Sequence, residues 1–186
     1  MTRWISSTGQ PEWEALFTGF ARSAYRLEGQ QVYGDAGQDE YVAQFLSGRP
    51  VEVDWAWYDR VMREKTRGGR RNVKVRIVVE PPTPYTRMEL SVYPHMVQAG
   101  EEIRVLAVQM GDWPAGQPHH DYWLFDDRDV WRLHYHENFH FKGAELIDDP
   151  AVVAEHLRWR DLALAESVPL DEYLAARSTD REHTTA

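Results

Sequence analysis

The segment from His119 to His140, HHDYWLFDDRDVWRLHYHENFH, constrains the fold more than any other stretch. It carries two β-rich runs across one polar turn and five of the chain's eight histidines. DYWLF (Asp121–Phe125) and VWRLHYH (Val130–His136) flank Asp126-Asp127-Arg128-Asp129, a loop length common in β-hairpins. With four loop residues, Phe125 would face Val130. The same register would pair Trp123 with Arg132, Asp121 with His134, and His119 with His136. Side chains alternate faces along a strand, and opposite partners share a face. That register predicts His119, Asp121, His134 and His136 on one surface, with Tyr122, Leu124, Trp131, Leu133 and Tyr135 on the other. A slip of one residue would dismantle the set.

The chain around this hairpin is long enough, at 186 residues, to bury a genuine core as a single domain. Eight tryptophans and 42% hydrophobic residues argue against disorder. The lack of cysteine excludes disulfides, thiolate zinc sites and a cysteine nucleophile, and fits a cytoplasmic protein. No apolar run approaches the ~18–20 residues that span a bilayer, and the N-terminal residues show no secretory pattern. A net charge of −9 disfavours nonspecific nucleic-acid binding by the whole surface. Against that average, eight basic residues between Arg60 and Arg76 are opposed only by Glu64, a local sum of about +7. Within this run Arg70, Arg71, Lys74 and Arg76 are candidate binding residues for phosphates or an acidic partner. The plainer reading of the run is a solvated helix face, a turn and the outer face of a strand.

Periodicity places helices over Pro11–Ala24 and Asp39–Leu46, a third capped by Asp54 and stopped at Gly68-Gly69, and a fourth capped by Thr83 and broken near Pro94. Strands are expected at Ala24–Glu28, Asn72–Glu80, Ile103–Val108 and Ala144–Ile147, besides the hairpin. In Asn72–Glu80, Val73, Val75 and Ile77 face one way, and Lys74 and Arg76 the other. Asp149-Pro150 opens a long helix, and Leu170, Tyr173 and Leu174 form a last amphipathic turn. The expectation is one α+β domain over 1–177, with a disordered tail over 178–186. Its antiparallel sheet would have about four to five strands, with helices packed mainly on one face. The other face would present Lys74, Arg76, Arg132 and the histidines.

Several phrases resemble an actinobacterial family of unknown function often encoded beside helix-turn-helix regulators. They are LFxxFxxSAYRLE (Leu16–Glu28), FLSG (Phe45–Gly48), VRIVxEPPTPYTRMEL (Val75–Leu90), AGEEIR (Ala99–Arg104), HDYWLFDDRxV (His120–Val130), HYH (His134–His136), FKGAE (Phe141–Glu145) and WRDLAL (Trp159–Leu164). His120, Asp121, Asp126, Asp127, Arg128, His134 and Tyr135 match the family pattern, whereas His119, His136 and His140 are particular to this sequence. The resemblance implies a single domain and association with a helix-turn-helix transcriptional regulator.

Three readings follow. The first is a non-enzymatic regulatory or interaction domain working with a DNA-binding regulator or a small ligand. Its binding residues would be Trp113 in the loop Gly111–Gly116, His120, Arg128 and Arg132, with the basic residues named above; tryptophan is a frequent interface anchor. The second is a metal- or histidine-dependent enzyme of phosphodiesterase, nuclease-like or small-molecule type at the hairpin face. A divalent metal would take nitrogen and oxygen ligands from His119, Asp121, His134 and His136. Metal-free acid–base work would use Asp121, His134 and Tyr135. Hydrogen-bonded histidines and an ordinary cross-strand polar pair explain the same residues without chemistry. The third is direct nucleic-acid binding through Arg60–Arg76. No G-x-S-x-G, G-x-x-x-x-G-K-[ST] or H-E-x-x-H phrase is present. Trp57, Tyr58 and Trp131 are expected in the core.

Overall fold

The computed structural model describes residues 3–34 and 37–184, with side chains to residue 178. Eight strands form one mixed sheet in the order β1-β7-β6-β5-β2-β3-β4-β8. They are β1 (Trp4–Ile5), β2 (Ser23–Glu28), β3 (Arg71–Glu80), β4 (Glu102–Gln109), β5 (Tyr122–Phe125), β6 (Asp129–Tyr135), β7 (Phe141–Ile147) and β8 (Val168–Pro169). The helices are α1 (Pro11–Gly19), α2 (Gln38–Leu46), α3 (Trp55–Thr66), α4 (Pro84–Gln98), α5 (Pro150–Glu166) and α6 (Leu170–Thr184). The tail expected over 178–186 overlaps the end of α6 and reaches outside the described residues.

The sheet is larger than the four to five antiparallel strands expected, and it is mixed. β2, β3 and β4 run parallel to one another, and every other pairing is antiparallel. The helices α2 and α3 between β2 and β3, and α4 between β3 and β4, act as crossovers, which parallel neighbours require. The two-residue strands β1 and β8 are too short for alternation to reveal, and they are recruited at the sheet edges.

Both faces of the central strands are covered. Beneath α5 lie Tyr25, Leu27, Val73, Val75, Ile77, Tyr122, Leu124 and Val130, joined by Val153, Leu157 and Leu164 of the helix. On the other face α1 packs on Trp123, Phe125 and Trp131. Residues of α4 and α6 pack on Val78, Ile103 and Val105. Asp54 and Thr83 cap α3 and α4 by accepting from Trp57 N and Thr86 N. α4 continues through Pro94 to Gln98, because Leu90 and Tyr93 anchor its middle in the core and offset the lost backbone bond. Trp57, expected inside, is 52% exposed, since α3 turns Met62 inward instead.

At the edge of the sheet, Trp4 lies across Gly143. A Cβ at Gly143 would come within 2.2 Å of the Trp4 ring. Gly143→Ala is therefore expected to displace Trp4 and lower stability by about 1–3 kcal/mol, the usual range for overpacking. Urea unfolding followed by tryptophan fluorescence checks this, and an unchanged midpoint would contradict the packing of β1 on β7.

Candidate functional site

The hairpin turn decides which side chains meet. Asp126 and Asp127 both adopt positive φ (54° and 59°), and Arg128 N–H donates to the Phe125 carbonyl at 3.0 Å. This is the primed turn geometry that suits hairpin twist, reached by aspartates that tolerate the left-handed region. Phe125 consequently pairs with Asp129, Leu124 with Val130, Trp123 with Trp131 and Tyr122 with Arg132. The register is one residue from that expected, so Asp121 and His134 fall on opposite faces. Their pairing, and with it the site composed of His119, Asp121, His134 and His136, is overturned. Among the described residues no group of three or more histidines, aspartates or glutamates is arranged to hold a metal ion.

Asp121 instead anchors a buried polar network on the face covered by α1 and α4. It is 1% exposed. Oδ1 accepts from Gly29 N at 2.8 Å, and Oδ2 accepts from the Tyr33 hydroxyl at 2.5 Å, Tyr135 hydroxyl at 3.1 Å and Arg26 Nη2 at 3.4 Å. Tyr135, expected beside His134 in acid–base work, is therefore a donor to Asp121. Arg26 Nε donates to Glu28 Oε1 at 2.8 Å, and Lys74 Nζ lies 3.4 Å from Glu28 Oε2. Fully buried Arg76 donates through Nε and Nη2 to Glu89 Oε2 at 3.1 and 2.8 Å, and through Nη1 to the Glu28 carbonyl at 3.2 Å. Glu101 accepts from the Tyr58 hydroxyl at 2.6 Å and from Asn72 at 3.2 Å, with Lys74 at 3.8 Å.

Alternation explains this face. Arg26 and Glu28 on β2 pair in register with Lys74 and Arg76 on β3, so four charged side chains share one surface. Lys74 and Arg76 were expected on an open polar face; α4 closes over them instead. Burial raises the Glu28 carboxyl, but Lys74, Arg26 and Arg76 outweigh it and hold the group at about 2. For Glu89, burial dominates over Arg76 and its pKa is raised. Beside these groups a cavity of about 240 Å³ opens, lined by Arg26, Glu28, Tyr33, Tyr85, Glu89 and Tyr135, with Trp13 and Phe141 among its other walls.

The remaining hairpin candidates border one cleft without forming a metal-holding group among the described residues. His119 is exposed and stacks on Trp113, with ring centroids 4.8 Å apart. Trp113 is half-buried, donates to the Gln117 carbonyl at 3.2 Å and packs against the core, so it is no free surface anchor. His134 Nε2 lies 3.1 Å from Glu145 Oε2, and His136 is exposed. Arg128 is exposed and paired with its neighbour Asp129. Arg132 faces Tyr122 and Glu145, on the α5 side of the sheet, away from Lys74 and Arg76.

Nor does Arg60–Arg76 form one basic surface. Arg60, Arg63, Arg67 and Arg71 are exposed, and Arg67 and Arg71 pair with Glu64 and Glu102. Arg70 Nη1 donates to the Thr18 and Phe20 carbonyls, satisfying the C-terminal end of α1. Lys74 and Arg76 are inside.

Sequence reasoning missed the carboxylate partners Glu28 of β2, Glu89 of α4 and Glu101 in the turn before β4. The clue was the alternation of charge along SAYRLE and NVKVRIVVE. It also missed the pairing of His120 with His156 of α5, whose Nε2 atoms lie 3.3 Å apart. His156 Nδ1 is 2.8 Å from the Val152 carbonyl, to which it must donate, so its Nε2 accepts and His120 Nε2 donates. Both rings are neutral in this arrangement. Burial, then the Arg132 charge, lower His120 to about 3, and burial lowers His156.

A pH profile tests these environments. The unfolded chain binds more protons wherever the folded pKa is depressed, so stability is lost as pH falls. The histidine limb starts below about pH 6.5, and the Glu28 limb starts below about pH 4.5. By about pH 4.5 the His pair is expected to have removed on the order of 1 kcal/mol, the partial exposure of His120 screening the full value. The double variant His120→Gln/His156→Gln should flatten the limb above about pH 5 in thermal melts. A limb unchanged in that variant would assign it elsewhere.

Comparison with known proteins comes down to one family. No functionally curated protein matches the chain. Among solved structures, phosphatidylserine synthase from Haemophilus influenzae Rd KW20 is similar over 90% of this chain and 39% of that one, at 11% identity and a TM-score of 0.41. At that similarity neither fold nor activity transfers. Residues 11–175 match the domain of unknown function DUF6879, and the chain, with its eight-stranded mixed sheet and buried Asp121 network, belongs to that family.

Proposed function

We propose that this chain is a non-enzymatic regulatory or interaction domain that binds a small polar ligand in the tyrosine-lined cavity. The observation that carries this reading is the set of buried charged side chains bordering the cavity. Burying such ions is expensive, and well-packed apolar residues of similar volume are often as stable or more so. A core made for stability alone has no use for Arg26, Glu28 and Glu89 around an open space. Converging polar groups within aromatic walls are the usual make-up of a small-molecule site. The family resemblance supports an actinobacterial setting and a helix-turn-helix regulator as partner. Trp57 and Leu46, 52% and 59% exposed on α3 and α2, replace Trp113 as the contact residues proposed for that partner.

Ligand-observed NMR against a panel of small polar metabolites tests the cavity. Binders should lose at least tenfold in affinity in Tyr85→Phe/Glu89→Gln, about 1.4 kcal/mol or more. Binding that is indifferent to these changes, or a panel with no binder, would sink the reading.

A second reading, histidine-dependent catalysis, is favoured by the His120–His156 pair and no longer involves Asp121 with His134. Turnover of a simple phosphodiester that disappears in His120→Ala would displace the first reading.

A further inference from the structure

The structure assigns a second binding site, for an oxyanion, to Arg132. It lies at the end of the sheet, where residues of both faces border one cleft, and it does not depend on the cavity described above being a ligand site. Arg132 is half-buried, and its guanidinium makes no hydrogen bond or ion pair among the described residues. Its Nε is buried without any partner. The carboxylate nearest in register, Glu145, is engaged by His134 at 3.1 Å. Other arginines removed from solvent in this chain are paired: Arg26 to Glu28, Arg76 to Glu89 and Arg70 to carbonyls.

A guanidinium whose Nε has given up water and gained no partner carries a desolvation cost that an anion would relieve. Its planar fork suits two oxygens of a carboxylate or a phosphate equally. Space for such a group exists. A cleft of about 270 Å³ is lined by Arg132 with Gln30, His119, His120, His134 and His136. Two acids also border it. Asp121 is spent on Gly29, Arg26, Tyr33 and Tyr135, and Glu137 is exposed. The cleft thus offers one unmatched fixed cation and several imidazoles, and its volume exceeds that of a bare oxyanion. The fitting ligand is a larger molecule that presents a phosphate or carboxylate to Arg132.

Two measurements on the full chain test this. Inorganic phosphate and acetate are titrated separately at low salt while the imidazole signals of His119, His120 and His134 are followed by NMR. Saturable shifts with a Kd of about 1–10 mM are expected for at least one anion. They should vanish in Arg132→Gln and weaken in Arg132→Lys. Phosphate alone would mark a phosphorylated ligand, acetate alone a carboxylate, and both an oxyanion site that takes either group. Independently, Arg132→Met should raise the melting temperature of the unliganded protein, because it removes an unpaired charge. Shifts that persist in Arg132→Gln, no shifts with either anion, or a lower melting temperature for Arg132→Met would each overturn the assignment.

Discussion

Replacing Arg76 with methionine is expected to remove about 3–5 kcal/mol of stability, the range seen when one member of a buried ion pair is deleted. The reason lies in what is left behind. Glu89 loses both guanidinium bonds, at 3.1 and 2.8 Å, and the Glu28 carbonyl loses its donor, all within a buried network beneath α4. Since whole domains hold only about 5–15 kcal/mol, this is a large share. The double variant Arg76→Met/Glu89→Leu should recover most of it, to within about 1–2 kcal/mol of the parent, because neither charge then lacks a partner. Urea midpoints for the two singles and the double close the cycle. Simple additivity would show that the pair is not coupled as the geometry says.

Asp121→Asn should be nearly as damaging despite its unchanged size. The carboxylate accepts from Gly29 N, Tyr33, Tyr135 and Arg26, four donors converging on two oxygens. An amide turns one of those oxygens into a donor aimed at other donors, and it withdraws the negative charge facing Arg26. The expected loss is about 3–4 kcal/mol, against about 1 kcal/mol for Tyr33→Phe, which removes a single bond. Both values come from chemical denaturation. If the two variants were equally mild, Asp121 would not be the organising acceptor of the network. The same Asn variant should abolish ligand signals in the cavity, since Tyr33 and Tyr135 of its walls are held by this residue.

Much of the element order was legible, and the reasons for the failures are physical. Asn72–Glu80 was readable because Val73, Val75 and Ile77 alternate with Lys74 and Arg76, and that alternation survives in β3. Asp54, Thr83 and Asp149 cap helices where local chemistry says they should. What alternation does not report is which face stays wet: a strand with charges on one side reads the same whether solvent or α4 covers them. The hairpin failed on one residue. Its register depended on whether Asp129 belongs to the loop or the strand, and two aspartates in the left-handed region tightened the turn. Asp126 shows the same blind spot. It accepts from Ala21, Arg22 and Ser23 backbone amides at 2.7, 2.6 and 3.1 Å, a long-range tie that no local pattern encodes. The resemblance pointed to a family of unknown function, and it carried no chemistry that could have corrected the register.

The position of β2 between β3 and β5 has a kinetic consequence. This early strand stays half-paired until partners synthesised some hundred residues later arrive, and β1 waits longer still for β7. Closing such distant loops precedes much of the reward in burial, so assembly should be slow, with fragments ending before the hairpin left sticky. Refolding on the scale of milliseconds to seconds is what this wiring predicts.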